Sequence, residues 1–387
     1  MKTRRCFLGG LWVLSLTAIS FYGGAVSYGF FFGVTLIPVI SIIYLLCVYF
    51  RFKIYQETEK KNLVCGQPTP YSFILQNEDY FAYTSISVRM HSSFSYAEEN
   101  FENVEYELLP GDKSICETKI ICKYRGEYEI GVKEVVLTDF LRLFRFRYTV
   151  PGQIKAVVFP KIVQLQELKS IADLSMLVQR DSAGSREPDI LVRDYVEGDS
   201  LKQIHWKATA KEQKLKVRSL TGKENQGISI FCDTRRYSRD RKEFLPLENK
   251  ILETFLAVGY YFAEADKEFH AYYGKSGVVS QHVEGIDDFD AFYHAVAQIV
   301  FDKDENFQDV LEQVIGQGIL WGSNLIFCVL HEFTPAILDA TERLAASGVT
   351  VVIYVITDQD PRELVKQGST RRRIVVIPVE AALEGRL

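Results

Sequence analysis

The stretch GISIFCD, residues 227–233, is a short apolar run that ends in an acidic residue, as a buried strand does. Further strand-like runs follow at 269–274, 324–331, 350–356 and 373–379, and helical apolar spacing separates them at 247–264, 287–300, 307–315 and 335–346. This alternation predicts a mainly parallel sheet covered by helices on both faces. Ligands bind such sheets at the carboxyl ends of the strands, so we expect Asp233, His331 and Asp358 to lie at the functional edge.

The segment just before this sheet, GSREPDILVRDYVEGDSLKQIHWKATAKEQKLKVR (184–218), is unusually rich in charged and aromatic residues. Such density, without a long apolar run, indicates a site or a docking surface rather than a core element. Ser200 and Gln203 form a capping box, and Leu201, Ile204 and Ala208 repeat at helical spacing. We therefore expect a short helix from about residue 201 to residue 211.

Three interpretations of this segment are open. In the first it is structural, with Arg193 and Asp194 paired to other charges and Trp206 packed on the sheet. In the second its basic surface binds an acidic partner or a phosphate group, through Lys202, Lys207, Lys211, Lys214, Lys216 and Arg218. In the third Asp194, Asp199 and His205 form a hydrolase-like or metal centre. Their spacing matches no recognised ligand pattern, which favours recognition over catalysis.

Residues 53–160 have a different character, with short β-branched and aromatic runs broken by turn residues. Candidate strands at 71–77, 84–91, 103–109, 114–124, 128–138 and 156–160 are spaced as in an all-β sandwich. Arg142, Arg145 and Arg147 alternate with phenylalanines, a pattern that fits a strand with a basic solvent face. The lone His91 is better explained as a structural or exposed residue than as a ligand.

The first fifty residues predict a transmembrane helical hairpin. Residues 7–50 carry no charge and form two apolar blocks separated by YGGAVSYG. A cleaved signal peptide is the competing interpretation, which the immediate second span disfavours. Basic residues precede and follow the hairpin (Lys2, Arg4, Arg5, Arg51, Lys53, Lys60 and Lys61), so we expect a multi-pass cell-membrane protein with both termini and the folded domains in the cytoplasm.

Composition narrows the function classes further. The net charge of −5 argues against a general nucleic-acid binder. The seven cysteines show no CxxC pair and no metal-ligand spacing, so we expect reduced thiols.

The order of residues in 184–218 resembles the signature of domain-of-unknown-function family 58. The residues that carry the resemblance are Gly184, Ser185, Arg186, Arg193, Asp194, Tyr195, Gly198, Asp199, Ile204, His205, Trp206, Lys207 and Ala208. The hairpin, a β-rich domain containing Arg125, Gly126, Tyr128 and Gly131, and a carboxyl-terminal part resembling von Willebrand factor type A domains fit the same family. The resemblance implies a bacterial or archaeal membrane protein that works beside a MoxR-type AAA+ ATPase, often with a transglutaminase-like membrane protein encoded nearby.

The resemblance also raises the question of whether a metal ion binds after the first strand of the sheet. Type A domains often bind a divalent cation through an Asp-x-Ser-x-Ser loop, and here the loop runs from Asp233 through Thr234, Arg235 and Arg236 to Tyr237. Only the aspartate matches, because Arg235 and Tyr237 replace the two serines whose oxygens would be ligands. We therefore expect no cofactor, and a divalent cation at Asp233 is the lesser alternative. Asp233 is as well placed to pair with Arg235 or Arg236 as to bind a metal ion.

These observations predict four segments: a transmembrane hairpin (1–52), a β-sandwich-like domain (53–160), a connector with the signature (161–226) and a type A-like α/β domain (227–387). We expect a membrane-anchored, non-enzymatic adaptor that docks the ATPase and contacts no nucleic acid. Its interaction residues would be Arg186, Arg193, Asp194, Tyr195, Gly198, Asp199, His205, Trp206, Lys207 and Lys211. A hydrolase using Asp194, Asp199 and His205 and a divalent-metal-dependent protein-binding module are the alternatives.

Overall fold

The computed structural model describes residues 2–59, 62–101, 104–171, 191–194, 214, 216–219, 227–274, 277–316, 323–359, 366, 368–369, 371–384 and 386–387, with only the backbone at 191–194 and 216–219. The chain divides into two compact units, Met1–Lys161 and Ile162–Leu387.

The first unit begins with two apolar helices, α1 (Lys2–Tyr22) and α2 (Ala25–Arg51). Gly23 and Gly24 separate them, and both adopt the positive φ angles that glycine tolerates without strain. Each helix is long and apolar enough to cross a membrane. The predicted pair of apolar helices is confirmed, and they could span a bilayer.

The rest of the first unit consists of three small sheets that surround one apolar core. The strand orders are β1-β3-β7-β5, β10-β9-β4-β6 and β2-β11-β8, and the paired neighbours are antiparallel apart from β2 with β11. This sandwich-like arrangement confirms the expected class. The strands are β1 (Lys53–Thr58), β2 (Asn62–Val64), β3 (Pro68–Gln76), β4 (Tyr83–Met90), β5 (Ser95–Ala97), β6 (Glu105–Leu108), β7 (Lys113–Cys122), β8 (Gly126–Ile130), β9 (Val132–Thr138), β10 (Arg145–Thr149) and β11 (Ile154–Phe159).

One predicted strand of this domain was wrong. The run at 128–138 is two strands, β8 and β9, which belong to different sheets and meet at Gly131. Gly131 has a φ of 84°, a left-handed conformation that breaks the extended chain.

The basic strand face is confirmed for Arg145 and Arg147, which are exposed on β10, whereas Arg142 lies in the preceding turn with a φ of 57°.

The carboxyl-terminal end of α2 is built into the β domain. Leu45, Val48 and Phe52 are buried in its core. Arg51 at the end of α2 donates to Asp79 at 2.5 Å, and Arg5 near the start of α1 donates its Nε to the Leu143 carbonyl at 2.6 Å. The basic ends of both helices therefore lie against the β domain, and the glycine turn lies at the far end of the hairpin.

The second unit contains a six-stranded sheet of order β16-β15-β14-β17-β18-β19. Five strands are parallel and the edge strand β16 is antiparallel to β15. The mainly parallel sheet is confirmed, although the sequence did not predict β16. The strands are β14 (Gly227–Cys232), β15 (Phe269–Gly274), β16 (Val278–Val283), β17 (Ser323–Leu330), β18 (Thr350–Ile356) and β19 (Arg372–Ile377). A separate pair, β12 (Leu191–Asp194) and β13 (Lys216–Ser219), is antiparallel.

Helices cover both faces of this sheet, as the alternating pattern predicts. One face packs against α3 (Arg241–Glu264) and α4 (Gly285–Ala297), and the other against α5 (Phe307–Gly316) and α6 (Pro335–Ala346). Along β14 the side chains of Ile228, Ile230 and Cys232 belong to the first core and Phe231 belongs to the second. This period of two explains why the strand is a continuous apolar run.

Candidate functional site

The carboxyl edge of the six-stranded sheet brings together two of the three residues expected there. Asp233 directly follows β14 and His331 directly follows β17, and these strands are adjacent and parallel. The backbone N–H of His331 lies 3.4 Å from Asp233 Oδ2. Asp358, two residues beyond β18, instead accepts a hydrogen bond from the Val379 N–H at 3.0 Å. Asp233 and His331 are therefore the centre of this edge.

The carboxylate of Asp233 is fully buried and receives hydrogen bonds from within the unit. The Tyr237 hydroxyl donates to Oδ2 at 2.6 Å, and the Arg235 backbone N–H donates to Oδ1 at 3.0 Å. Burial raises the pKa of Asp233 above its ordinary value, and the bonds from Tyr237, Arg235 and His331 oppose that rise. The carboxylate thus acts as an acceptor that ties together the ends of β14 and β17.

The expected pairing of Asp233 with a neighbouring arginine was wrong. Arg236 makes a two-pronged contact with the buried Glu248, at 2.7 and 3.3 Å, and lies 4.2 Å above the Phe244 ring. The Arg235 guanidinium lies 3.9 Å from Glu332 and 5.3 Å above the Tyr237 ring. Both guanidinium groups have carboxylate partners elsewhere, because backbone N–H groups and a phenol already satisfy Asp233.

The loop after β14 is held in place on its other side as well. Thr234 Oγ1 donates to the Gly274 carbonyl at the end of β15, at 3.1 Å. The Arg236 N–H donates to the Asp302 carbonyl at 2.7 Å, and the Asp302 N–H donates to the Thr234 carbonyl at 3.1 Å. The conformation of this loop is thus set by the neighbouring chain segments.

These contacts test whether a divalent cation fits at Asp233. A hard cation needs several oxygen lone pairs that point at one position. Here three hydrogen-bond donors point at the two carboxylate oxygens, and the residues in the two serine positions contribute a backbone N–H and a phenol O–H. The described residues around Asp233 therefore do not fit a metal centre of that kind.

His331 has a defined orientation at the same edge. Its Nδ1 lies 2.6 Å from the Ile356 carbonyl oxygen, which can only accept, so Nδ1 carries the proton. The Nε2 atom of the neutral ring is then a hydrogen-bond acceptor. The Tyr237 ring packs edge-on against the imidazole, with centroids 4.7 Å apart. This arrangement presents a ring with a fixed tautomer beside Arg235 and Glu332, whose side chains are 43% and 54% exposed.

Most of the interaction residues expected from the sequence lie outside the described residues. These are Arg186, Tyr195, Gly198, Asp199, His205, Trp206, Lys207 and Lys211, together with the expected helix at 201–211. Arg193 and Asp194 have their backbone in β12, where they pair with Val217 and Lys216 of β13. Around Asp233, no contact between described residues favours the metal-dependent alternative, and Asp199 and His205 of the hydrolase alternative lie outside the described residues.

Sequence reasoning missed two residues of this site, Tyr237 and Glu248. The sequence indicates Tyr237 only as the replacement of a serine ligand, and loop spacing does not reveal that its hydroxyl reaches back four residues to Asp233. Glu248 did leave a signal, because it lies on the apolar stripe of α3 with Leu252 and Phe255. A carboxylate at a buried helical position needs a charged partner, which here is Arg236.

Comparisons with known proteins do not assign the chain to a family. No family model matches it, and no curated protein sequence matches it. Solved structures that resemble parts of it include Salmonella alpha-2-macroglobulin reacted with methylamine, at 14% identity over 27% of this chain and 7% of that one, with a TM-score of 0.21. Proximal thread matrix protein 1 from the mussel byssus is 12% identical over 39% of this chain and 43% of its own, with a TM-score of 0.29. A GH20 exo-β-N-acetylglucosaminidase from Vibrio harveyi is 10% identical over 85% and 82% of the two chains, with a TM-score of 0.20.

Proposed function

We propose that this chain is a membrane-anchored, non-enzymatic adaptor that captures a protein partner at the carboxyl edge of its six-stranded sheet. The observation that carries the proposal is the set of hydrogen bonds that the carboxylate of Asp233 accepts. Its oxygens accept bonds from Tyr237, Arg235 and His331, so the acid positions two loops instead of facing a substrate or a metal. What this edge offers to solvent is a charged pair, Arg235 with Glu332.

The exposed groups of this edge suit recognition of a polar protein surface. Arg235 supplies up to five N–H donors, Glu332 supplies acceptors, and the His331 ring adds a second polar group through Nε2. Arg235 is also oriented by its contact with the Tyr237 ring. A half-buried arginine that is already positioned loses less side-chain entropy on binding, as expected at a docking surface.

The membrane part of the proposal rests on α1 and α2 and on the basic residues at their ends. A hairpin with charges only at its open end is expected to keep both ends, and both folded units, in the cytoplasm. The anchor would tether the chain to the bilayer and so raise the local concentration of any partner recruited there.

The partner we propose is a MoxR-type AAA+ ATPase, on the basis of the resemblance of 184–218 to domain-of-unknown-function family 58. In the same proposal the second unit is a von Willebrand factor type A-like domain with a degenerate metal loop. The signature residues would contribute to partner capture, and neutralising Lys207 and Lys211 would weaken capture without unfolding the protein. A transglutaminase-like membrane protein is a further candidate partner.

A crosslinking pull-down of the full chain from native membranes tests this proposal. We expect an AAA+ ATPase of the MoxR type among the captured proteins and a marked loss of that ATPase with Arg235→Glu. Arg343→Glu is the matched control, because Arg343 is exposed on α6 and pairs with Asp339 at 3.6 Å. The Arg235→Glu, Glu332→Lys double variant keeps an opposite-charge pair while reversing its direction, and should also fail to capture the ATPase.

Two outcomes would overturn the proposal. Absence of any such ATPase from the wild-type eluate would remove the partner. Equal capture by wild type, Arg235→Glu and the double variant would remove the carboxyl edge as the docking surface.

A further inference from the structure

The edge hairpin of the second unit carries a group of metal-ligating side chains that the docking edge does not use. In the antiparallel pairing of β15 with β16, His270 lies opposite His282. Glu268 directly precedes β15 and Glu284 directly follows β16, each two residues from the histidine on its own strand. Because strand side chains alternate with a period of two, the two carboxylates fall on the same face as the two imidazoles.

The ligand atoms of three of these residues lie close together. One carboxylate oxygen each from Glu268 and Glu284 and a ring nitrogen of His282 all lie within 4.8 Å of one another. His282 Nε2 is 2.8 Å from Glu284 Oε1 and 3.9 Å from Glu268 Oε2. The His270 ring stacks on the His282 ring, with centroids 4.4 Å apart, which restrains the orientation of His282.

Electrostatics adds an independent reason for a cation here. The register that pairs Phe269 with Val283 brings Glu268 across from Glu284 at the next position. Like charges directly opposite one another on neighbouring strands are destabilising. A divalent ion between the two carboxylates converts this repulsion into attraction.

We propose that Glu268, His282 and Glu284 bind a Zn²⁺ ion, with water completing the tetrahedral coordination. One imidazole nitrogen and two carboxylate oxygens are ligands that zinc accepts, whereas magnesium prefers sites made of oxygen alone. The bound ion fastens the edge strand β16 to β15. This inference is independent of the docking proposal, since it concerns other residues and another ligand.

Zinc titration of the full chain in detergent micelles, followed by calorimetry, tests the site. The measurement uses a Cys6→Ser, Cys47→Ser background, because those two thiols are exposed and would bind zinc themselves. We expect one zinc ion per chain and at least tenfold weaker binding after His282→Ala. His294→Ala is the control with unchanged affinity, because His294 lies on α4, 3.9 Å from Asp290, and is not one of the three converging residues. MgCl₂ should give no comparable heat.

A second variant separates ligation from a purely structural role. Glu268→Gln with Glu284→Gln removes both anionic ligands and also the repulsion between them. We expect this double variant to lose zinc binding while its metal-free unfolding midpoint stays equal or rises. The proposal is overturned if zinc affinity is the same in the parent, His282→Ala and the double variant, or if the parent binds no zinc even at a large molar excess of zinc over protein.

Discussion

At the scale of single residues, the carboxyl edge depends on one buried acid and the hydroxyl that caps it. Tyr237 occupies the position of a serine ligand in the type A loop, yet its hydroxyl is the closest donor to Asp233. Burial of the phenol and the negative charge of Asp233 raise the pKa of Tyr237, so the hydroxyl keeps its proton and remains a donor. Asp233 and Tyr237 therefore behave as one structural unit.

Removing the hydroxyl measures what this unit contributes to stability. We expect Tyr237→Phe to lower the free energy of unfolding by about 1.5–3 kcal/mol, the usual range for a hydrogen bond to a charged group. Hydrogen exchange of the β14 amides in the full chain is the measurement. Tyr260→Phe is the control, since the Tyr260 hydroxyl accepts from an exposed Gln164. Equal losses in the two variants would contradict a special role for the bond to Asp233.

The raised pKa of Asp233 leads to a prediction about how the unfolding free energy depends on pH. The ordinary value is 3.8, and the folded state holds the proton to higher pH than the unfolded chain does. The folded state therefore binds more protons between these two pKa values, and the stability contributed by this group decreases as pH rises through that window. We expect the unfolding free energy of wild type minus that of Asp233→Asn to fall as pH rises upward from about 3.8. Urea unfolding at a series of pH values measures it, and a difference independent of pH would refute it.

At the scale of elements, the helices and strands of the second unit follow the sequence pattern closely. The helix at Pro335–Ala346 and the strand at Thr350–Ile356 have the predicted bounds. Thr334 caps the helix by accepting from the Ile337 N–H, and its first residue is a proline, which is well tolerated there. Strong local signals of this kind need no tertiary information.

The division between β8 and β9 is the opposite case, because a single glycine decides it. A methyl group at Gly131 would lie 2.7 Å from the Tyr71 hydroxyl and 2.8 Å from Tyr71 Cε2, and the backbone is in the left-handed region. We expect Gly131→Ala to lower the unfolding free energy of the first unit by about 2–4 kcal/mol, through backbone strain and overpacking together.

A matched glycine separates the two causes. Gly152 has a similar φ of 79° with no atom near the position of an added methyl group. Gly152→Ala therefore reports strain alone, and urea unfolding should show the smaller loss there. Equal losses at the two positions would mean that the contact with Tyr71 has no energetic weight.

At the scale of the whole molecule, the basic ends of α1 and α2 and the β domain belong to one compact unit. Arg5 and Arg51 contact the β domain, while the turn at Gly23 and Gly24 is distant from it. If the helices span a bilayer, the β domain lies on the side of the basic residues, and that side is expected to be cytoplasmic.

Cysteine labelling in intact cells checks this orientation. In the Cys6→Ser, Cys47→Ser background, we expect Val26→Cys, near the hairpin turn and 87% exposed, to react with a membrane-impermeant maleimide. Glu384→Cys, exposed near the carboxyl terminus, should react only after lysis. Labelling of Glu384→Cys before lysis, with protection of Val26→Cys, would show that the orientation is the opposite of the expected one.

The sequence by itself determined the features that depend on local periodicity: two apolar helices, a β-rich region, and a sheet whose strands alternate with amphipathic helices. It also placed Asp233 and His331 at one edge, because parallel strands align their carboxyl ends. Only the tertiary structure decided the partners of Asp233, the pairing of Arg236 with Glu248, and the antiparallel strand β16 that brings Glu268, His282 and Glu284 together. These features depend on contacts between residues that are distant along the chain or on the direction of a single side chain, and hydrophobic periodicity carries no information about either.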